Sequence, residues 1–308
     1  MPVPLVNRDD IPEREVSSGD IAFARRRLGE GAGARRIGAS LYAVRAGARH
    51  MPVHVHGDEE EIFFVLAGSG IGYELEGQDP EGAAHVYPIA AGDTIAHRAG
   101  ERPHTRLAGD AGLELIAFGS GSDTSITFLP RAGVMWCGPR WVPVDGPHPF
   151  RAERNAGPLA PPAVDPAAPR PAHVVALADV DAAAVRDGEV RALGRAAGAV
   201  KSGLNHVTLP PGARGAPPHC HTLEEELFVV LDGGGTLTLG DAEHPLRAGD
   251  VIARPPATGV CHALTAGPDG LTYLAFGTRE AGDAVYYPEA GTVRLRGLGV
   301  ALPVSGPR

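Results

Sequence analysis

One short pattern occurs twice in this chain, and its recurrence constrains the fold more than any other feature. The first copy is His54-Val55-His56-Gly57-Asp58-Glu59-Glu60-Glu61-Ile62-Phe63-Phe64-Val65-Leu66-Ala67-Gly68, and the second is His219-Cys220-His221-Thr222-Leu223-Glu224-Glu225-Glu226-Leu227-Phe228-Val229-Val230-Leu231-Asp232-Gly233. On a strand, residues two apart face the same way, so each His-x-His can aim both imidazoles at one point. A turn and a second strand can bring the Glu carboxylate to that point. Two imidazoles and a carboxylate inside an apolar shell form a site for a divalent transition metal.

The 165-residue separation of His54 and His219 holds without a gap from Leu28/Leu193 to Gly70/Gly235, through Gly38/Gly203, Arg49/Arg214, Pro52/Pro217 and Phe63/Phe228. The first copy then carries extra residues in Glu76 to Gly82, expected in a hairpin loop. Alignment resumes at Ala91-Gly92-Asp93 against Ala248-Gly249-Asp250 and continues through Phe118/Phe276 to Pro130/Pro288. A whole domain is therefore duplicated in tandem. The expected division is a first domain over 1–142, a Pro/Ala-rich linker over 143–171, draped over the surface, and a second domain over 172–308. Gly 42 and Pro 29, with short Val/Ile/Leu/Phe/Tyr runs broken by Gly-Asp and Pro-Gly turns, predict an all-β chain of antiparallel barrels or sandwiches. One short helix is expected over Ala178 to Arg186.

A fourth ligand should follow the Gly-Asp turn. Arg102-Pro103-His104 and Val260-Cys261-His262 occupy equivalent places there. The candidate metal sets are His54, His56, Glu61, His104 and His219, His221, Glu226, His262. Three imidazoles and one carboxylate leave open positions on an octahedral ion. A lone His-x-His is often a solvated strand face, and a Glu triplet is usually surface charge. Recurrence of all four residues at matching places favours metal, one ion per domain.

The spacing of Gly, His-x-His, Glu and Gly, followed by Gly-Asp, Pro and His, resembles the two motifs of the cupin superfamily, and two copies resemble a bicupin. The likeness runs from Leu28 to Pro130 and from Leu193 to Pro288. It implies a double-stranded β-helix, or jelly-roll, barrel per domain with the metal in the barrel mouth. Arg98 departs from the pattern where Pro255 keeps it. The resemblance leaves chemistry open. Bicupin oxalate decarboxylases carry an Arg three residues ahead of the His pair, where this chain has Met51 and Ala216. Gentisate-type bicupin dioxygenases tend to lack the motif Glu, which both copies here retain.

The leading expectation is an Fe(II) dioxygenase or oxidoreductase acting on a small organic acid or aromatic metabolite, with Mn(II), Ni(II) or Zn(II) as alternative ions. The alternatives are a redox-neutral decarboxylase or isomerase, and a non-catalytic metal or small-ligand binder. Arg106 shares the parity of His104, and its counterpart is Leu264. Tyr73 stands opposite Thr238 in the alignment, and His50 opposite Gly215. These three make the first pocket the expected polar one, with Arg106 facing a carboxylate; a solvent-exposed rim Arg is the competing reading. Phe63, Phe118, Phe228 and Phe276 are expected in the core, and Cys220 and Cys261 as buried thiols.

Hydrophobic content of 43% and charged content of 21% are those of a globular protein. A net charge of −9 argues against nucleic acid and anionic membranes as partners. A small molecule is the expected partner, and the chain a monomer or homodimer. The first ten residues carry neither a basic nor an apolar leader segment, three cysteines do not make a disulfide framework, and the expectation is a soluble cytoplasmic protein.

Overall fold

The computed structural model describes residues 5–79, 81–121, 126–137, 140–142, 148–163, 165 and 169–304. Each half forms an antiparallel jelly-roll barrel of one eight-stranded and one four-stranded sheet. In the first half the large sheet is centred on the paired strands Glu61–Leu75 and His104–Gly119, and the small one runs from Val55–His56 through Ile126–Leu129 and Val134–Cys137 to Arg140–Val142. The second half repeats this with Glu226–Leu239 beside His262–Thr278, and with Cys220–His221, Ala284–Tyr287, Thr292–Leu295 and Val300–Pro303.

The central strands read as continuous apolar runs because both of their faces are buried. Phe63 and Val65 share the inward parity of Glu61 and belong to the first barrel's interior, while Ile62 and Phe64 point outward into a core shared by the two domains. Phe228 and Val230 face inward in the second barrel, and Leu227 and Val229 complete the shared core. Phe118 and Phe276 stack across this interface at 5.0 Å between centroids and 17° between planes. All four phenylalanines are thus core residues, two inside barrels and two between them.

Two reciprocal anchors tie the halves together. Glu60 accepts hydrogen bonds from the Val200, Lys201 and Ser202 amides and from the Ser202 hydroxyl. Glu225 accepts from the amides of Arg35, Arg36 and Ile37, the same three positions of the repeat. Both carboxylates are completely buried. The middle Glu of each Glu triplet therefore binds the opposite domain. The halves also exchange edge strands: Leu5–Asn7 pairs with Asp250–Arg254, and Val174–Ala176 pairs with Asp93–His97. Each exchange covers a row of backbone groups that would otherwise be an open sheet edge.

The Gly-Asp turns have a local cause. Gly92 and Gly249 adopt φ of +89° and +88°, which glycine reaches without steric cost. The adjoining Asp93 and Asp250 carboxylates accept the amides of Ala90 and Arg247, at 2.7 and 2.9 Å.

Two local expectations need correction. Ala178 to Arg186 is not a helix: a 3-10 turn over Leu177–Asp179 is followed by the strand Ala183–Val185, which hairpins onto Gly188–Arg191. Edge pairing outweighs the helix propensity of a segment too short to nucleate. The linker is also more than a drape, although Pro143 and much of Pro166 to Pro169 lie outside the described residues. Pro149–Asn155 is a helix with proline at its first position and the His148 side chain capping the Phe150 amide. Its Glu153 is buried against Arg49, at 2.5 Å, and Arg131, at 3.1 Å; Arg49 also pairs with Asp20 at 2.8 Å. Among the described residues no helix is long and apolar enough to cross a membrane.

Candidate metal centres

Three strands, and the bridge residue ahead of the first, deliver each ligand set. In the first barrel His54 and His56 flank Val55 ahead of the turn, Glu61 begins one central strand, and His104 begins the other, bridged to His54 through the backbone. The Nε2 atoms of His54, His56 and His104 lie 3.4, 3.3 and 3.3 Å from Glu61 Oε2. In the second barrel those of His219, His221 and His262 lie 3.6, 3.4 and 3.1 Å from Glu226 Oε2. Neighbouring ligands on an octahedral ion with bonds of ~2.1 Å are about 3 Å apart, so both clusters are already close to coordinating dimensions.

The outer imidazole nitrogens decide whether these groups suit a cation. His54, His104 and His219 each place Nδ1 on a backbone carbonyl, of Pro52, Arg102 and Pro217, at 2.8, 2.9 and 2.7 Å. A carbonyl only accepts, so Nδ1 carries the proton and Nε2 turns a lone pair inward. His56 rests on the Thr127 hydroxyl at 3.0 Å, and His221 on the Asp283 carboxylate at 2.7 Å. In the second barrel Nε2 of His221, Nε2 of His262 and Oε2 of Glu226 are buried with no hydrogen-bond partner. Buried polar atoms left unpaired in this way are costly unless an ion takes up their lone pairs. The residues fit a divalent metal in both barrels.

Electrostatics agree. Burial alone would push Glu61 and Glu226 up, but the imidazoles around each more than reverse it and hold both carboxyls well below their usual range. Burial drives His104 down to about 3 and His262 to about 4, so both rings are neutral donors near pH 7. His56 differs: the attraction of Glu61 and Glu59 exceeds its burial cost and raises it to about 9, so an ion binding there displaces a proton from this ring.

The two cavities differ, and not in the expected sense. The first, about 720 Å³, is lined by Tyr42, His50, Met51, Trp136 and Phe150, and by two arginines, Arg25 and Arg27. The second, about 360 Å³, carries Arg195, Arg279, Arg294 and Arg296 around its metal set, together with Asn205 and Tyr287. The second pocket is the more cationic.

Of the three pocket candidates, only His50 lines the first cavity, edge-on to Tyr42 at 4.3 Å. Arg106 lies inside the barrel, 1% exposed, its guanidinium carbon 3.4 Å above the centre of the Phe63 ring. It is neither a rim residue nor part of the cavity lining. Tyr73 packs in a separate cluster with Val53, Leu75 and Val86. The reason is parity: Glu74 pairs with His104 and faces inward, so its neighbour Tyr73, paired with Thr105, faces out. Cys220 and Cys261 are only partly buried. They stand opposite one another across the His219–His262 bridge, and burial and the Cys220 thiol push Cys261 up to about 12.

Asp283 and the four arginines escape sequence reasoning. They come from the short helix Leu193–Ala196, just past the end of strand His262–Thr278, the strand Thr292–Leu295, the 3-10 turn Arg296–Leu298 and a loop, with no shared motif, and only the fold brings them to one mouth.

A sequence model of the family described as Cupin domain matches residues 205–274. Among solved structures, the oxalate decarboxylase of Lactobacillus farciminis in a formate complex is 20% identical, with a TM-score of 0.61 over 89% of this chain and 86% of that one. The chain has the bicupin fold. Oxalate decarboxylase from Bacillus subtilis at pH 4.6 is 17% identical, with a TM-score of 0.63 over 93% of this chain and 78% of that one. A study of the Mn(II) centres of that enzyme gives 16% identity and a TM-score of 0.61 over 91% and 78%. At such identities the likeness is one of fold. A comparison with curated proteins finds no match.

Proposed function

We propose that this bicupin is a redox-neutral, divalent-metal-dependent decarboxylase of a small carboxylic acid, with its chemistry at the second centre. The observation that carries this is the second cavity, about 360 Å³, where four arginines surround a three-His, one-Glu set. Such a cavity concentrates a small anion and pairs its charge with guanidinium groups. Both named neighbours are decarboxylases and one study names Mn(II) centres, which moves this reading ahead of the Fe(II) dioxygenase. Oxalate itself is not the proposed substrate, because Met51 and Ala216 stand where the oxalate-decarboxylase pattern has Arg.

His219, His221, His262 and Glu226 would hold the ion, which supplies Lewis acidity to a substrate carboxylate. Arg279, Arg294 and Arg195 attract the acid and neutralise its charge; Arg296 is held at the wall by Glu224, at 2.6 Å. Tyr287, stacked on His219 at 5.7 Å, is kept protonated by burial and offers a hydrogen-bond donor to the bound acid. In the reaction the bond to the departing carboxylate breaks, carbon dioxide leaves, and the electron pair left on carbon takes up a proton. No net oxidant is required.

The test is a Mn(II)-loaded chain offered a panel of small mono- and dicarboxylic acids, with carbon dioxide and oxygen followed together. Release of one carbon dioxide per acid without net oxygen uptake, abolished by His219→Ala/His221→Ala, supports the proposal. Substrate-dependent oxygen uptake with ferrous iron would replace it with the dioxygenase, and ligand binding without product under any metal would replace it with a binder.

A further inference from the structure

Behind the first centre, on the far side of the His104 ring, lies a second group of metal-capable side chains that the bicupin motif does not include. Glu74, His97 and His173 place one donor atom each within 4.8 Å of one another. Glu74 is completely buried, and its Oε1 lies 2.7 Å from His173 Nε2 and 4.0 Å from His97 Nε2. The Tyr87 hydroxyl donates to the same Oε1 at 2.5 Å. His97 is 4% exposed and stacks flat on His104, 3.6 Å between centroids, which fixes its ring plane. Two of the atoms in the group, Glu74 Oε2 and His97 Nε2, are buried with no hydrogen-bond partner. Arg102 is the nearest cation to Oε2, at 3.9 Å and half-exposed.

In front of the group a cavity of about 570 Å³ opens to solvent between His85, Glu101, Arg102 and Pro171. The second barrel has no counterpart: the positions of Glu74 and His97 are Leu239 and Arg254 there, by the pairing of Leu239 with His262 and of Ala96/Ala253 in the repeat. The arrangement is therefore a property of the first half and not a by-product of the duplicated scaffold.

We propose that Glu74, His97 and His173 form a third divalent-cation site, with a donor set suited to Zn(II) and a fourth position open to the cavity. Two imidazoles and one carboxylate are a recurrent Zn(II) set in which the remaining position takes water or another ligand. Tyr87 holds the carboxylate from behind as an outer partner. His173 immediately precedes the exchanged strand Val174–Ala176, so a bound ion clips the segment after the linker to the first barrel.

The experiment is calorimetric titration of Zn(II) into the chelator-stripped full chain, alongside His173→Ala and Glu74→Gln. His173 is the most exposed of the three, and glutamine retains an acceptor for Tyr87, so neither change removes core packing. Three Zn(II) per parent chain and two per variant chain are expected. Two per parent chain, or three in either variant, overturns the proposal. The difference of one ion belongs to this site whether or not the barrel centres are catalytic.

Discussion

Glu60→Gln tests the reciprocal anchoring of the two barrels. The side chain is isosteric, but one acceptor oxygen becomes a donor. Glutamine can keep its carbonyl on the Ser202 amide and hydroxyl, at 3.0 and 2.5 Å, and must then turn its amide nitrogen toward the Val200 and Lys201 N–H groups, at 2.8 and 3.4 Å. A hydrogen bond to a charged acceptor contributes roughly 1.5–3 kcal/mol, and a buried donor left unpaired costs roughly 1–3 kcal/mol. With one strong bond lost, one weak bond lost and two donors facing each other, about 3–5 kcal/mol should disappear. For a chain of this size about 2 °C accompanies each kcal/mol, so Tm should fall by about 6–10 °C. Glu225→Gln should do the same through the Arg35, Arg36 and Ile37 amides. The assay is scanning calorimetry of both variants at one pH and metal load. A shift under about 2 °C in both would refute the assignment of these carboxylates as the ties between domains.

Asp283→Asn should weaken metal at the second centre by about 10–100-fold and leave the first unchanged, because the new amide donates toward His221 Nδ1 and forces the proton onto Nε2; chelator-competition titration measures it. Phe118→Ala should cost about 3–5 kcal/mol in denaturant unfolding by opening a cavity in the interdomain stack. Arg279→Ala or Arg294→Ala should raise KM for the acid substrate by about 10-fold or more with a smaller change in kcat, since charge pairing holds ground and transition states alike; the parent's KM should rise with salt.

The ligand positions were legible because strand parity and a gapless repeat carry them. His54, His56 and Glu61 need only period two and a turn, and the second copy removes the ambiguity of a short motif. The same repeat explains why Phe63 and Phe118 look alike in sequence yet serve different cores: parity separates inside from outside, but not solvent from a second barrel. The Tyr73 reading failed on register, which alternation alone does not fix until the cross-strand partner is known. Arg195, Arg279, Arg294 and Arg296 were invisible as a group because they lie about a hundred residues apart at the extreme, on a short helix, past a strand end, on a hairpin strand and on a 3-10 turn. Glu60 and Glu225 read as surface charge, and only the packing of the two barrels makes them acceptors for buried amides.

The most direct test of the two-centre account is metal content, by elemental mass spectrometry, of the Mn(II)-loaded chain, of His54→Ala/His56→Ala and of His219→Ala/His221→Ala. The account predicts one ion fewer per chain in each variant than in the parent, with the other barrel still loaded. Full metal content in either variant would contradict the site as drawn.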